Sequence, residues 1–291
     1  MRILVASLVL VLVVGAALSA PAKAAPKASG YAAQAAQAKT DGKLLLIDFF
    51  TDWCYWCGQL DKQVYPDKRV SELVSKYFVM AKVNGEDDTA AQTKYNVGAY
   101  PTIVILDTDA TELKRINGFE AADLFAADLQ EAVELQRLRA EGQRLKQDLA
   151  AGNAENAGDK EARLGYILLR LGDTKGATQW LAKAKADGVA TPDLTLNTAL
   201  ATRQGADLVK ALDDWVVANP DSSRKWEAEY ALGMAQSKAR SWKDSLASFN
   251  QVVAGSPESL YGMRAALQVK PLEQRIADEN RPTPEPSMGH G

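Results

Sequence analysis

The sequence predicts an α/β domain that is followed by an all-α domain of helical repeats. Residues 31–117 alternate apolar runs of strand length with helical segments, a pattern typical of a sheet covered by helices. From residue 120 onward the apolar residues follow a helical period, without strand patterns. In the second half, apolar columns recur every 34 residues, which is the length of a known two-helix repeat.

The first residues have the pattern of a secretory signal peptide. Arg2 precedes an apolar run over residues 3–17, and small residues end in an Ala-x-Ala site at residues 22–24. We expect residues 1–24 to be cleaved, which would make the mature protein periplasmic or secreted, with no membrane span. An uncleaved membrane anchor is the alternative, although the run is shorter than the roughly 20 residues that a span needs.

Charge and histidine content argue against several classes of function. The chain has 34 basic and 37 acidic residues, and loss of the signal peptide would leave 32 basic residues and a net charge of −5. No basic run points to nucleic acid. The single histidine, His290, lies in the Pro-rich segment 279–291, which we expect to be disordered. A His-dependent triad, a Cys/His metal site and any other cofactor are therefore not predicted.

The α/β domain is predicted to contain four helices and four strands. The predicted helices cover residues 31–39, 54–63, 67–76 and 88–95. The predicted strands cover residues 44–50, 78–83, 101–106 and 112–117. The first strand is apolar except for Asp48, as expected for a central strand covered on both faces. Pro66 interrupts the second helix, and Asp67 is placed to cap the third.

Residues 120–150 predict one long helix with two apolar stripes. The stripes consist of Phe125, Leu129, Ala132 and Val133, and of Leu135, Leu138, Leu145 and Leu149. The second stripe is rotated by roughly 120–135° from the first. We therefore expect the first half of this helix to pack on the sheet and the second half on the repeats. A break near Gly142 is the alternative.

Three apolar columns define the repeats. They are Ala177, Leu181 and Ala184, then Ala211, Trp215 and Ala218, then Ser245, Phe249 and Val252. This spacing resembles the second helix of tetratricopeptide repeats, and Leu164-Gly165 and Leu232-Gly233 resemble the first. We predict a helical connector over residues 136–157 and repeats over 158–278. The repeats would start near residues 158, 192 and 226, and a closing helix would span 260–277. An irregular helical bundle is the alternative.

The only two cysteines, Cys54 and Cys57, form a Cys-x-x-Cys pair between the first strand and the next helix. Such a dithiol can cycle to a disulfide. A bridge that closes so short a loop constrains the unfolded chain very little, so a stabilising role is a poor explanation. A sulfur at a helix N-terminus is favoured as thiolate. Cys54 is thus expected to attack, and Cys57 to resolve the mixed disulfide.

The residues around this pair resemble the thioredoxin family. Residues 47–57 look like the active-site strand and loop of that family. Residues 82–84 look like its Lys-bearing strand, and residues 100–102 like its cis-proline loop. Because separated elements occur in the right order, the resemblance is specific. It implies a thioredoxin-like domain over residues 25–135.

Several details are similar to one branch, the periplasmic C-terminal domain of the thiol:disulfide interchange reductase DsbD. These details lie at residues 52–54, 117–119 and 124–125. The chain departs from thioredoxins in the Tyr55-Trp56 dipeptide between the cysteines. It also departs at Gly58, where thioredoxins usually carry a lysine.

The resemblance also implies roles for two charged residues. Asp48 would be buried behind Cys57, with Lys82 on the neighbouring strand. Burial raises the pKa of a carboxyl and a nearby lysine lowers it, so Asp48 could shuttle a proton to or from Cys57. The alternative places Asp48 at a strand end, turned to water. The predicted catalytic residues are therefore Cys54, Cys57, Asp48 and Lys82.

Two further features predict substrate contacts. The resemblance implies a cis Tyr100–Pro101 bond, which would place the Tyr100 backbone beside Cys54, where it can pair with an extended substrate strand. An ordinary trans proline is the alternative. The loop aromatic side chains either form an apolar surface for a partner or cover the sulfurs; they are Trp53, Tyr55 and Trp56.

Taken as a whole, the sequence predicts an extracytoplasmic thiol–disulfide oxidoreductase that reduces disulfides of partner proteins. Its partners would be protein clients with disulfides or thiols, held by the repeats, and an upstream thiol redox donor. One alternative is a non-enzymatic repeat adaptor with a thioredoxin-like scaffold. Another is a disulfide oxidant or isomerase.

Overall fold

The computed structural model describes residues 30–152 and 155–279. The predictions for the signal peptide, residues 1–24, and for residues 280–291 of the tail lie outside the described residues. Within the described ranges, no helix combines the length and the apolar character that crossing a membrane would require.

The first region is built on a four-stranded sheet with the spatial order β2-β1-β3-β4. Its strands are β1 (Leu44–Phe50), β2 (Phe78–Asn84), β3 (Thr102–Leu106) and β4 (Glu112–Asn117). Strand β1 runs parallel to β2 and antiparallel to β3, which pairs antiparallel with β4. The predicted central position of β1 is confirmed, because its side chains are buried on both faces of the sheet.

Helices cover both faces of this sheet. The helices of this region are α1 (Ala32–Asp41), α2 (Tyr55–Gln59), α3 (Lys68–Tyr77), α4 (Thr89–Lys94) and α5 (Ala122–Ala150). Helices α1 and α4 share one core with the sheet, and α3 and α5 share the other. The predicted second helix is shorter than expected, because a π-helical turn over Leu60–Val64 follows α2. Asp67 caps α3 as predicted, through its Oδ1 and the Arg69 and Val70 backbone N–H groups.

Helix α5 is continuous and serves both regions, so the alternative of a break near Gly142 is wrong. Phe125 and Leu129 are buried in the core under the sheet. Leu138 is buried against Ile167 of α6 (Ala157–Arg170). A Cβ at Gly142 would lie 3.0 Å from the Ile167 side chain, so the glycine permits close helix packing without a kink.

The rest of the described chain is helical, as predicted. After α6 come α7 (Thr174–Ala186), α8 (Pro192–Thr202), α9 (Gly205–Ala218), α10 (Lys225–Lys238), α11 (Trp242–Gly255) and α12 (Leu260–Glu279). Three successive apolar cores join each helix pair to the next helix, which is consistent with stacked repeats. In the predicted middle repeat, the third column residue, Ala218, is exposed.

The two Leu-Gly positions explain how α6 approaches α7 and how α10 approaches α11. A Cβ at Gly165 would lie 2.6 Å from the Leu181 side chain, and one at Gly233 would lie 2.9 Å from the Phe249 ring. Only a glycine leaves room for these large residues to pack against the helix backbone.

A group of buried and partly buried charged side chains, here called the charged joint, connects the two regions. It consists of Lys114 in β4, Asp128 and Glu131 in α5, Arg170 in α6 and Arg264 in α12. Arg264 Nη2 lies 2.6 Å from Asp128 Oδ1 and 3.0 Å from Glu131 Oε2. Lys114 Nζ lies 3.0 Å from Asp128 Oδ1, and Arg170 Nη2 lies 3.3 Å from Glu131 Oε1. The first and last helices of the helical region therefore bind the same carboxylate of α5.

Candidate active site

The two cysteines lie where β1 passes into α2 and are joined as a disulfide. Cys54 is the residue that precedes α2, and its Sγ accepts a hydrogen bond from the Cys57 backbone N–H at 3.1 Å. This donor can stabilise negative charge on the Cys54 sulfur when the pair is reduced. Cys54 is 9% exposed and Cys57 only 3%, so a partner reaches Cys54 more easily.

Asp48 is fully buried in the middle of the sheet, which contradicts the alternative that it turns to water. Its partner in the β1–β2 register is Lys82, whose Nζ lies 3.4 Å from Asp48 Oδ2. Within the described part of the chain, no side chain donates a well-formed hydrogen bond to either carboxylate oxygen. Burial raises the pKa of Asp48, and the charge of Lys82 and the Tyr65 hydroxyl only partly oppose this effect.

The structure adds two residues that the sequence reasoning missed, Asp61 and Tyr65. Asp61 forms an ion pair with Lys82 and is half exposed, so Lys82 lies between a buried and an exposed carboxylate. The Lys82 ammonium also lies 5.7 Å from the centroid of the Tyr65 ring. Asp61 follows Cys57 by four residues, a spacing that places two residues on one face of a helix. That spacing indicates a position on the side of Cys57, but it does not indicate the ion pair with Lys82.

The predicted cis bond is present between Tyr100 and Pro101, directly before β3. Tyr100 packs closely on the loop after β2, because a Cβ on Gly85 would collide with the Tyr100 hydroxyl. The Tyr100 ring also meets Trp53 edge to face, with centroids 6.2 Å apart. The proline loop and the cysteine loop therefore contact each other through these two aromatic rings.

Exposed aromatic side chains surround this contact. Trp53 is 70% exposed, Tyr55 68% and Trp56 53%. The Trp53 indole N–H donates a hydrogen bond to Glu86 Oε1 at 2.9 Å. The Trp56 ring lies 5.2 Å from that of Phe119. We call Trp53, Tyr55, Trp56, Tyr100 and Phe119 the aromatic rim. The exposure of Trp53, Tyr55 and Trp56 favours a surface for a partner over a cover for the sulfurs.

No group of three or more His, Cys, Asp or Glu side chains is arranged to hold a metal ion within residues 30–152 and 155–279.

Comparisons with known proteins agree with this geometry. A family model of the thioredoxin-like domain matches residues 31–132. The thiol:disulfide interchange protein DsbD of Pseudoalteromonas atlantica is 32% identical over 98 residues, which are 32% of this chain and 16% of that protein. DsbD of Tatumella citrea is 32% identical over 108 residues, 35% of this chain and 18% of that protein. The matched segment thus spans less than a fifth of these relatives.

Among solved structures, the C-terminal domain of Neisseria meningitidis DsbD in the reduced form is similar at 20% sequence identity. The match covers 35% of this chain and 91% of that chain, with a TM-score of 0.31.

The family match extends well beyond the cysteines on both sides, and the DsbD matches cover about a third of this chain. The resemblance that residues 47–57, 82–84 and 100–102 carried is therefore confirmed. Residues 31–132 form a thioredoxin-like domain with a Cys-x-x-Cys disulfide, homologous to the thiol:disulfide interchange proteins DsbD.

Proposed function

We propose that this protein is a thiol–disulfide oxidoreductase that reduces disulfides of partner proteins. The observation that carries the proposal is Asp48, in the strand that leads to the cysteines. It is fully buried, and it has no well-formed hydrogen bond to any described residue. A buried polar group left in this state is costly for folding. Perturbed buried carboxyls cluster at functional sites, because catalysis needs groups that change their protonation state.

The proposed reaction begins with the reduced pair. The Cys54 thiolate attacks one sulfur of a client disulfide, and the other client sulfur leaves as a thiolate that takes up a proton. Cys57 then loses its proton to the Asp48 carboxylate and attacks the Cys54 sulfur. This restores the Cys54–Cys57 disulfide and releases the second client thiolate, which is also protonated. Two electrons pass from the protein to the client.

Lys82 and Asp61 have a supporting role in this proposal. Lys82 opposes the effect of burial on the pKa of Asp48, which keeps the carboxyl able to lose its proton again. Asp61 binds the same ammonium group from the solvent side. A proton taken up by Asp48 can therefore return to water past Lys82 and Asp61 after each turnover.

The aromatic rim and the proline loop form the proposed client surface. An extended client segment would pair with the Tyr100 backbone before Pro101, as in strand addition. Trp53, Tyr55 and Trp56 would bury apolar side chains that flank the client cysteine.

The remaining parts of the proposal concern partners and place. We propose a thioredoxin-like region over residues 25–135, a connector over 136–157 and tetratricopeptide-like repeats over 158–278 that bind a partner protein. The oxidised pair must be reduced again by an upstream thiol donor. A location in the periplasm, or secretion, is supported by the signal-peptide pattern of residues 1–24 and by the homology with DsbD.

A trapping experiment tests this function. The Cys57→Ser variant of the full chain is incubated with insulin, which supplies accessible disulfides. Without the resolving thiol, a covalent adduct through Cys54 should accumulate and disappear when dithiothreitol is added. The double variant Cys54→Ser, Cys57→Ser is the matched control and should form none. If the single variant forms no adduct, the proposed function is contradicted.

A further inference from the structure

The helical region contains an open groove of about 770 Å³ that the redox chemistry does not use. It lies mainly between α10 and α12, and its lining is mostly apolar. Its large side chains are Tyr230, Met234, Trp242, Tyr261 and Leu272. Met234 is 44% exposed in it. Exposed apolar surface of this kind marks a binding site more often than not.

The chain leaves α12 at the mouth of this groove. Glu279 is the last residue of α12, and its Oε1 accepts a hydrogen bond from the Trp242 indole at 2.6 Å. Arg275, one helical turn earlier, has its guanidinium 4.7 Å from the centroid of the same indole. Both Trp242 and Arg275 line the groove. The described chain therefore ends beside the groove.

The sequence of residues 280–291 suits an aromatic groove. Pro282, Pro284 and Pro286 occur at alternate positions. Such a segment favours the polyproline II conformation, which loses little entropy on binding and docks in grooves lined by aromatic side chains.

The segment is also long enough to turn back along the groove. Its 12 residues reach about 37 Å at about 3.1 Å per residue. The part of α12 that lines the groove runs from Tyr261 to Arg275, a rise of about 21 Å. The segment is thus longer than this part of the groove, and a turn at its first two residues would leave all three prolines to enter it.

Charges at the mouth of the groove are complementary to the segment. Lys238 and Arg275 line this end, and both are exposed. Glu285 lies between the second and third prolines, so a chain that turns back past the mouth brings its carboxylate close to these cations.

We propose that residues 280–291 occupy the groove between α10 and α12 of the same molecule as an internal Pro-rich ligand. A tethered segment has an effective concentration in the millimolar range, so even weak binding fills the groove. A partner protein of the helical region must then displace the segment before it can bind there. This proposal is independent of the cysteine chemistry.

A peptide-binding experiment tests the proposal. A fluorescein-labelled peptide of residues 280–291 is titrated by fluorescence anisotropy with the full chain and with a variant that ends at Glu279. The shortened variant should bind the peptide, and the full chain should bind it at least tenfold more weakly because its own segment competes. A peptide with Pro282, Pro284 and Pro286 replaced by alanine should bind the shortened variant at least tenfold more weakly.

A matched pair of substitutions in the shortened variant tests whether the peptide binds in the groove. Met234→Lys puts a charge in the groove and should lower the affinity at least tenfold. Leu267→Lys changes a residue that is 58% exposed on α12 but does not line the groove, and it should change the affinity less than twofold. Circular dichroism checks that both variants are folded.

Several results would overturn the proposal. One is that the shortened variant does not bind the peptide, and another is that both chains bind it equally. Dimerisation of the shortened variant that Met234→Lys abolishes, without peptide binding, would assign the groove to a second copy. An equal effect of both lysine substitutions would place the peptide elsewhere. The insulin adduct of the Cys57→Ser variant does not depend on these results, so the two proposals fail separately.

Discussion

The candidate active site and the charged joint both contain carboxylates with little exposure to solvent, but the surroundings of these carboxylates differ. Asp48 faces one cation at 3.4 Å and has no well-formed hydrogen bond within the described chain. Glu131 is bound by three cations at 2.5–3.3 Å, from Lys114, Arg264 and Arg170. Burial raises the pKa of Asp48. Burial also acts on Glu131, but the three cations outweigh it and lower the pKa of Glu131.

The two sets of carboxylates should therefore have different roles, one in stability and the other in the proposed reaction. A carboxylate with several close cations stays ionised and holds parts of the fold together. A carboxylate that is buried with incomplete pairing has a raised pKa and can take up a proton more readily than an exposed one. Changes in the charged joint should therefore act on stability, and changes at Asp48 should act on rate and on its pH dependence.

The largest effect on stability should come from Arg264→Ala. This change removes a cation from both Asp128 and Glu131 and leaves the buried carboxylates less well paired, which should cost about 3 kcal/mol. Urea denaturation at pH 7 measures it. Lys270→Ala, an exposed position on the same helix, is the control and should cost less than about 0.5 kcal/mol. Equal losses in both variants would show that the joint does not hold the two regions together.

The largest effect on rate should come from Asp48→Asn. Without the carboxylate, Cys57 loses its proton to water only, and resolution of the mixed disulfide should slow about 100-fold near neutral pH. Rapid-quench measurements with insulin, followed between pH 5 and 9, give this rate. Asp52→Asn removes an exposed carboxylate from the same loop and should leave the rate within twofold. A loss that raising the pH does not relieve would argue that Asp48 acts through structure alone.

The Asp48→Asn variant should gain stability, although it loses rate. The folded pKa of Asp48 lies above the ordinary value of 3.8, so its contribution to stability is full below that value and is lost as the pH rises through the folded pKa. Asp48→Asn cannot ionise, so the variant should gain stability relative to the original chain as the pH rises from 4 to 8. Thermal unfolding across this range checks the sign. A fall in the variant's stability relative to the original chain between pH 4 and 8 would contradict it.

A smaller, pH-dependent effect is expected at Glu120, beside the charged joint. Burial, followed by the charge of Asp128, raises the pKa of Glu120 to about 8 from 4.5. Its contribution to stability is therefore present below pH 4.5 and is lost as the pH rises through 8. Glu120→Gln should raise the melting temperature more at pH 8.5 than at pH 5.5. Glu134→Gln, at an exposed position of α5, should show no such trend, and a matching trend there would refute the assignment.

The smallest effect should come from Glu86→Ala. This change removes the acceptor of the Trp53 indole hydrogen bond, which is exposed and contributes about 1 kcal/mol or less to holding the ring. We expect KM for insulin to rise two- to threefold, while the rate with the small disulfide of glutathione stays unchanged. Glu72→Ala, an exposed change in α3, should alter neither. If activity falls equally with insulin and with the glutathione disulfide, Trp53 does not belong to the client surface.

Much of the thioredoxin-like region could be predicted from the sequence, because its signals are local. Strands β1 and β4 have the predicted bounds, since a continuous apolar run and clear turn residues mark their ends. Short motifs also predict the features around the disulfide. These are the cysteine pair, the neighbouring positions of Asp48 and Lys82, and the cis Tyr100–Pro101 bond. The 34-residue period is also a local signal, and α6, α8 and α10 begin within one residue of the starts that it predicts.

The charged joint and the second partner of Lys82 could not be predicted, because they depend on contacts between distant parts of the chain. Lys114, Glu131 and Arg264 meet although more than a hundred residues separate the first from the last. The pairing of Asp61 with Lys82 depends on the π-helical turn after α2, and the sequence predicts an ordinary helix there. Periodicity alone also left open whether the long helix breaks at Gly142.

The reduction potential of the Cys54–Cys57 pair in the full chain tests the proposed function most directly. The protein is equilibrated in graded thiol buffers, and the free thiols are counted by alkylation. A reductant with this site should have a potential near that of thioredoxin, about −270 mV. A potential near about −120 mV would make the protein an oxidant of its partners and would contradict the proposed direction.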